Sequence, residues 1–524
     1  MAGKPSKGTM EVELKISMNA DEEARIRGHA DLARLRSTPR RTEKLVSVYY
    51  DTPDHALARA GIALRLRKIG RAWVQTVKFG KGSGDAGLFA RKEIDLPAPG
   101  GRLALDGPDP EGMFGVIRKT CGEADPSPVF ETHVRRIIER LRLEDGSEVE
   151  LALDKGEVVS GDRKAPIHEA EIELISGEVT AVFDMARILF PTGPVRFSST
   201  SKAARGYALA RGDVEAPATP RGAGDLVFNR RANVEEVARD VFRDCFAQIV
   251  ANMVVVADSD AIEGPHQLRI GLRRLRTAIS VFSGPLGAEA LTPISLQARD
   301  IGNVVGRLRD IDVLIDEIVA PAAKGGIDSA AIEALTAALE ERRETVRAEV
   351  REILASAEST GFLYDLGRLI EGRGWLKPSD YTQTGRLAER IGALGPVLLD
   401  QRYARAVRRG KKIRKLSVPE LHELRKDLKK FRYTSEVFDV MWPGKKVRAY
   451  IKTLKRLQNW FGTLNDAAMA EVYLTGADAP GKNDPAAQRA VGWVVGTLAI
   501  RVADDRPAMF DSWDDFAAKK PFWR

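Results

Sequence analysis

Cysteine is nearly missing: 524 residues contain two, Cys121 and Cys245, far apart and without metal-type spacing. That excludes a disulfide framework and a zinc site, and suits a reducing compartment. Aromatic residues make up 6% of the chain, and no run interleaves them with Arg and Lys as base-stacking platforms require. Nucleic acid is therefore not expected as a partner. Long apolar runs are missing too. Ile249 to Ala257 and Ala490 to Ile500 are broken by Asn252 or by glycines, and both fall short of the ~20 residues of a spanning helix. Met1 to Met10 carry Lys4 and Lys7 but lead into charged sequence, not the apolar core of a signal peptide. No membrane partner is expected, and the reading is cytoplasmic.

What is present describes a folded protein: 44% hydrophobic and 30% charged residues, with 82 Lys+Arg against 74 Asp+Glu and a net charge of +8. The length predicts two or three domains. Composition changes at residues 211–227, where RGDVEAPATPRGAG has the Gly/Pro/Ala character of a linker. Upstream, over residues 8–210, short runs alternate apolar and polar residues between turns: Glu11 to Ile16, Ala63 to Arg67, Trp73 to Phe79, Lys92 to Leu96, Val149 to Leu153 and Ala170 to Ile175. These predict many strands. Downstream, over residues 228–515, apolar residues recur at three and four positions and predict amphipathic helices.

Side chains alternate faces along a strand. MEVELK therefore sets Glu11, Glu13 and Lys15 on one face; ALRLRK sets Arg65 with Arg67; FARKEI sets Arg91 with Glu93; EAEIEL sets Glu169, Glu171 and Glu173 together. Several strands with charged faces of both signs predict a closed barrel with a polar interior, partly clad by helices. In such a lumen Lys15, Arg65, Arg67, Lys78 and Arg91 suit phosphate oxygens, and Glu11, Glu13, Asp154, Glu171 and Glu173 suit Mg²⁺ or Mn²⁺. Phosphoryl transfer needs little else: a chain held in line, charge neutralised by cations, and a water oriented by a carboxylate.

These residues resemble the CYTH family of triphosphate tunnel metalloenzymes, over roughly residues 10–210. The resemblance rests on an ordered series: ExExK at Glu11 to Lys15, YYDTPD from Tyr49, ALRLRK from Ala63, VKF around Lys78, RKE at Arg91, LALDKGE around Asp154, EAEIEL from Glu169 and SKAARGY from Ser201. It implies an antiparallel eight-stranded tunnel of α+β class, and adds Arg135, Lys202 and Arg205 to the triphosphate-binding set. It implies Glu11, Glu13 and Lys15 as the catalytic set, and a metal set that includes Glu169 as a ligand or a neighbour of ligands. Inorganic triphosphatases, thiamine triphosphatases and some adenylate cyclases share the family, so the substrate stays open at this point.

The helical half contains an internal repeat, about 230–380 and 385–515. HQLRIGLRRLRTAISVF from His266 matches HELRKDLKKFRYTSEVF from His422 at an offset of 156, and the same offset carries Gly306, Leu308 and Asp310 onto Gly462, Leu464 and Asp466. This predicts two duplicated all-α bundle halves about a pseudo-twofold axis. At about 100° per residue, His266, Arg269, Arg273 and Arg276 fall within roughly 80° of arc, and His422, Arg425, Lys429 and Arg432 repeat the face; Arg274, Lys426 and Lys430 join them as candidate polyphosphate-binding residues. Residues 405–456 hold 18 basic against 5 acidic residues. Such unbalanced charge costs folding energy that an anionic ligand relieves. The two sets resemble the CHAD family, helical domains that bind inorganic polyphosphate. Asp310 and Asp466 read as carboxylates that bridge to the arginines.

The whole resembles bacterial CYTH-CHAD inorganic triphosphatases. The expected function is metal-dependent hydrolysis of inorganic triphosphate, with polyphosphate bound by the helical domain and delivered along the linker at raised effective concentration. A non-catalytic polyphosphate-binding or granule-associated protein is the main alternative; thiamine triphosphatase or adenylate cyclase activity is a further one.

Overall fold

The computed structural model describes residues 9–80, 87–106, 112–213 and 218–524. The side chain of Arg91 and linker residues 214–217 lie outside the described residues. The chain divides into two units: the first runs to Thr219 and takes in Ala355–Gly374, and the second is Pro220–Leu354 with Trp375–Arg524.

Period-two alternation builds the first unit from β1 (Thr9–Ser17), β2 (Arg41–Asp51), β3 (Ile62–Ile69), β4 (Ala72–Phe79), β5 (Leu88–Pro97), β6 (Ser127–Arg142), β7 (Glu148–Ser160), β8 (Arg163–Ser176) and β9 (Arg196–Phe197). Their antiparallel order is β5-β4-β3-β2-β6-β7-β8-β1-β9, and a further β1–β5 pairing closes eight of them into a ring. The expected tunnel is present, with a two-residue ninth strand added. β5 pairs with Thr9 to Leu14 of β1, and β9 pairs with Ile16 and Ser17.

Helices α1 (Ala20–Arg27), α2 (Ala30–Leu35), α3 (Ala56–Arg59), α4 (Met113–Cys121), α5 (Ala181–Leu189) and α6 (Lys202–Arg211) join the barrel. The Asn19–Glu22 capping box fixes the start of α1. In the YYDTPD segment Asp51 is fully buried and accepts hydrogen bonds from the N–H groups of Thr52, Leu57 and Ala58. That motif is a turn lock which seats α3. Leu57, Met113, Phe114 and Ile117 cover Ile62, Leu64, Val77 and Ile94 on the outer wall, each such burial stabilising by about 1.5–3 kcal/mol. α6 packs Tyr207 on Phe130. At Gly206 a Cβ would lie 2.0 Å from the Phe130 ring, so glycine sets how closely α6 approaches.

The second unit is helical: α7 (Val234–Asp258), α8 (Glu263–Leu286), α9 (Ala288–Val313), α10 (Ala320–Ala322), α11 (Ser329–Leu354), α13 (Tyr381–Ala388), α14 (Ile391–Gly410), α15 (Val418–Phe438), α16 (Lys445–Thr475) and α17 (Pro485–Ala518). α12 (Ala357–Glu371) belongs to the first unit. The repeat is wider than its basic helices. Adding 156 to the starts of α7, α8, α9 and α11 gives the starts of α14, α15, α16 and α17 to within one residue. Even a cap is copied: Asp328 accepts from the Ala330 N–H, and Asp484 from the Ala486 N–H. The equivalent Phe282 and Phe438 meet edge to face at 6.2 Å, joining the two halves at matching positions.

Candidate functional site

Register places the charges of the barrel. Antiparallel partners share a face, so Lys78 lies opposite Glu93, Lys15 opposite Glu171, and Asp154 between Arg136 and Glu169. Glu13 lies opposite Glu173, and Glu173 opposite Glu150. A cavity of about 200 Å³ is lined by Glu11, Glu13, Lys15, Arg65, Arg67, Lys78, Glu171, Glu173 and Lys202 of the expected set, with Glu93 and Arg136, while Asp154 and Glu169 are buried behind this lining.

One part of this wall is internally neutralised. Lys202 reaches Asp154, Glu169 and Glu171 at 2.7, 2.5 and 2.8 Å. Arg136 is bidentate on Asp154 at 2.7 and 2.6 Å, and both it and Lys15 contact Glu171. Burial alone would raise the Glu171 carboxyl, but Lys15, Lys202 and Arg136 hold it well below the ordinary range. Glu93 is likewise held low against burial by Arg65 and Lys78.

Elsewhere the charges are not neutralised. Glu11 is pushed up to about 8 by burial, then by a hydrogen bond to Glu93, with Lys78 opposing at 3.1 Å. Glu173 is pushed up to about 7 by burial and by Glu13 and Glu150. Among cations, Arg67 makes no ion pair among the described residues and donates only to Ser47 Oγ at 3.1 Å. Burial, Arg65 and Arg136 push it down to about 10. Tyr49, buried against Arg65 and Arg67, has its phenol lowered although burial opposes this.

Asp154, Glu169 and Glu171 offer oxygens within 4.8 Å of one another, a spacing a metal ion accepts, but Lys202 and Arg136 already supply cations there. Glu11 and Glu173, raised by burial and by neighbouring carboxylates, are with Glu13 opposite Glu173 the better fit for a divalent cation.

Two of the expected cations also lie outside the cavity lining. Arg135 points outward, its side chain 45% exposed and paired with Glu23 at 3.3 Å; Arg136 takes the inward place. Arg205 stands behind the wall, donating to the Pro166 carbonyl and 3.8 Å from Glu169. Arg136, Glu93 and Tyr49 were missing from the expected set. Strand phase carries a signal for Arg136, since Thr132 and Val134 at the same parity are buried while His133 and Arg135 are exposed.

In the second unit α8 and α15 bring Arg269, Arg273, Arg425 and Lys429 together. Arg269 donates to Asp310 at 2.7 Å, and Arg273 donates to Tyr433 Oη at 2.9 Å. Burial, then Arg273, Arg425 and Arg269, push Lys429 down to about 6, with Asp466 opposing. Arg425 is also lowered, by burial first and then by Arg273 and Arg269 against Asp466. His266 is lowered by burial and by Arg309, and His422 is half-buried on α15. The other expected residues point elsewhere. Arg274 pairs with Asp244 at 2.6 Å, Lys426 with Glu423 at 2.7 Å and Arg432 with Glu436 at 3.3 Å. Arg276 and Lys430 are exposed in a second cationic group with Arg402 and Arg405.

Comparison with known proteins follows the same division. The CYTH domain model matches residues 9–207 and the CHAD domain model residues 240–475. An inorganic triphosphatase of Haemophilus influenzae is 33% identical over 166 residues, 32% of this chain and 46% of that protein, so the match spans less than half of that relative. An uncharacterized protein of Mycobacterium tuberculosis is 26% identical over 447 residues, 78% of each chain. The CHAD domain from the plant Ricinus communis superimposes with a TM-score of 0.50 at 22% identity, covering 58% of this chain and 98% of that one, a likeness of fold. Among the described residues no helix is long and apolar enough to cross a membrane.

Proposed function

Starting from a chain that carries a CYTH domain followed by a CHAD domain, we propose that it is a metal-dependent hydrolase of inorganic triphosphate whose helical unit binds polyphosphate. One observation carries this reading. A single cavity holds a cation without a carboxylate partner, Arg67, and carboxylates without enough cations, Glu11 and Glu173. A polyanion alone would worsen the second imbalance, and a metal alone the first. A triphosphate with its divalent cation relieves both.

In this reading Arg67, Arg65 and Lys78 grip phosphate oxygens through charge-assisted hydrogen bonds. Lys202, Arg136 and Lys15 hold the neutralised wall rigid and add positive potential as charge develops on the leaving phosphate. Glu11, Glu13 and Glu173 would hold Mg²⁺ or Mn²⁺, which when bound neutralises phosphate oxygens and polarises the phosphorus centre. A carboxylate of the same wall orients the attacking water. Asp154 and Glu169 act as the counter-charge that keeps Lys202 ionised although it is buried, a role supported by the raised ammonium there.

In the helical unit the support is different. Arg269, Arg273, Arg425 and Lys429 form a face on which cations outnumber the two nearby acids, Asp310 and Asp466, and Lys429 makes no ion pair or hydrogen bond among the described residues. That face suits an unadorned phosphate chain. The test is orthophosphate release from triphosphate by purified protein with Mg²⁺ or Mn²⁺. Release that stops in Glu13→Gln supports the hydrolase, and phosphate binding without turnover would instead mark a binder. Thiamine triphosphate, ATP and long polyphosphate assayed alongside would rank the substrates.

A further inference from the structure

The CHAD match runs unbroken across residues 240–475, yet α12 (Ala357–Glu371) is part of the tunnel unit. It also stands outside the repeat, because the 156-residue offset that relates four helix pairs carries the start of α12 to residue 513, in the last two turns of α17, where no helix begins. Its packing is specific. Phe362, Tyr364, Leu366 and Ile370 are fully buried. At Gly367 a Cβ would lie 2.4 Å from the Phe183 ring of α5, so the helix rests directly on that ring. Arg187 pairs with Asp365 and Arg368 with Asp184, tying the same two helices by charge.

Tyr364 extends this contact to the charged cavity. Its hydroxyl donates to the Phe190 carbonyl at 2.8 Å, and its ring meets Phe197 edge to face at 6.1 Å. Phe197 is strand β9, paired with Ile16 of β1. The next residue, Ser198, donates its N–H to the Lys15 carbonyl at 2.9 Å, while the Lys15 N–H donates to Gly87 at 2.9 Å. β5 ends its pairing with β1 at Leu14. β8 continues along one edge of β1 through Ser17, but on the other edge the N–H and C=O of Lys15 are met by Gly87 and by the segment of β9, which is only two residues long. A strand that short has little stability of its own.

We propose that α12, through Tyr364, is a positioning element of the tunnel: it clamps β9 onto β1 and so sets where Lys15 presents its ammonium. The proposal rests on the reading of Lys15 as part of a hydrolytic site, and adds that this site is incomplete without a helix from the sequence range of the other module. Tyr364 touches no reacting atom and acts only through Phe197 and Ser198.

The experiment uses the full chain as Tyr364→Ala, Tyr364→Phe and Leu369→Ala. Kinetics with triphosphate and Mg²⁺ or Mn²⁺ are read beside amide hydrogen exchange of residues 14–17 and 196–198. Leu369 is buried on the same helix beside Gly374, outside the Tyr364–Phe197 ring pair, so its variant reports plain loss of packing. Tyr364→Ala is expected to lower kcat about tenfold, the scale of a misplaced catalytic group, with KM changed less, and to speed exchange at Ser198. Tyr364→Phe keeps the ring and restores both. Leu369→Ala lowers the melting temperature and leaves kcat near wild type. Wild-type kcat and exchange in Tyr364→Ala would overturn the proposal, as would an equal loss of kcat in Leu369→Ala at matched stability. Should the unaltered protein release no orthophosphate, the hydrolase reading fails, while the exchange comparison still decides whether α12 holds β1.

Discussion

The tunnel and the helical unit are both rich in cations, but they manage them in opposite ways. In the tunnel Lys15, Arg136 and Lys202 each have a carboxylate at ion-pair distance, and the uncompensated groups are of both signs. On the helical face Arg273 finds only the Tyr433 hydroxyl and ring, and Lys429 finds other cations. A wall of interleaved signs can take a metal and a phosphate together and place a water. A face dominated by cations can attract and hold a phosphate chain, and its nearby acids, Asp310 and Asp466, are set against Arg269 and Arg425. The difference between these regions is therefore a difference between turnover and retention.

Ways to break that distinction follow in order of size. Glu13→Gln removes the carboxylate that lies opposite Glu173 and 3.2 Å from the Lys15 ammonium, and triphosphate hydrolysis should fall on the order of 10²–10³-fold, the cost of losing a central electrostatic group. Polyphosphate binding, read by titration calorimetry, should not move. Arg67→Ala should cost about 10–100-fold in kcat/KM, the equivalent of one charge-assisted contact, and Arg136→Ala should match or exceed it because Asp154 and Glu171 would be left buried without that partner.

The helical site should show a pH signature that the tunnel lacks. With Lys429 down at about 6, the folded protein has lost a proton that the unfolded chain keeps until about 10.4. Ligand-free stability therefore rises with pH across that window. A polyanion draws the proton back, so polyphosphate affinity should fall as pH rises above 6, by up to about tenfold per pH unit. Lys429→Met should flatten the profile; an unchanged slope would remove Lys429 from the site. The tunnel has the opposite sign. Glu11 and Glu173, raised to about 8 and about 7, bind protons in the folded state that the unfolded chain has released, so metal-free stability should fall as pH rises through 5 to 8. Added Mg²⁺ or Mn²⁺ should raise the melting temperature more at pH 8 than at pH 5. The smallest effect is expected for Arg135→Ala, exposed and paired only with Glu23, which should leave kcat/KM within about twofold.

Much of this was legible in the sequence for a physical reason: strand period and helix period are rigid, so charged faces and a constant 156-residue offset survive translation into structure. Lys78 facing Glu11, and Arg269 reaching Asp310, follow from such patterns. Phase within a strand was harder. RRIIERL in β6 has apolar residues at both parities, because Ile137 and Ile138 are both buried, so only the upstream alternation of Phe130, Thr132 and Val134 separates Arg136 from Arg135. Helix faces failed where a neighbouring helix supplied a partner: Asp244 on α7 draws Arg274 away from Arg273, which no spacing in α8 announces. Least legible was α12, whose amphipathic pattern looks like that of its neighbours in sequence. Its place on the tunnel also changes how the modules should be separated, since deleting residues 226–524 would remove α12 with the helical unit. Point substitutions are the cleaner test.

The most direct measurement is therefore a crossed pair in the full-length protein, with triphosphate hydrolysis and long-chain polyphosphate binding both recorded for Glu13→Gln and for the double variant Arg273→Ala, Lys429→Ala. The account predicts that the first loses hydrolysis and keeps binding, while the second keeps triphosphate hydrolysis and loses binding. Loss of triphosphate hydrolysis in the helical variant, or loss of polyphosphate binding in the tunnel variant, would contradict a division of labour between the two regions.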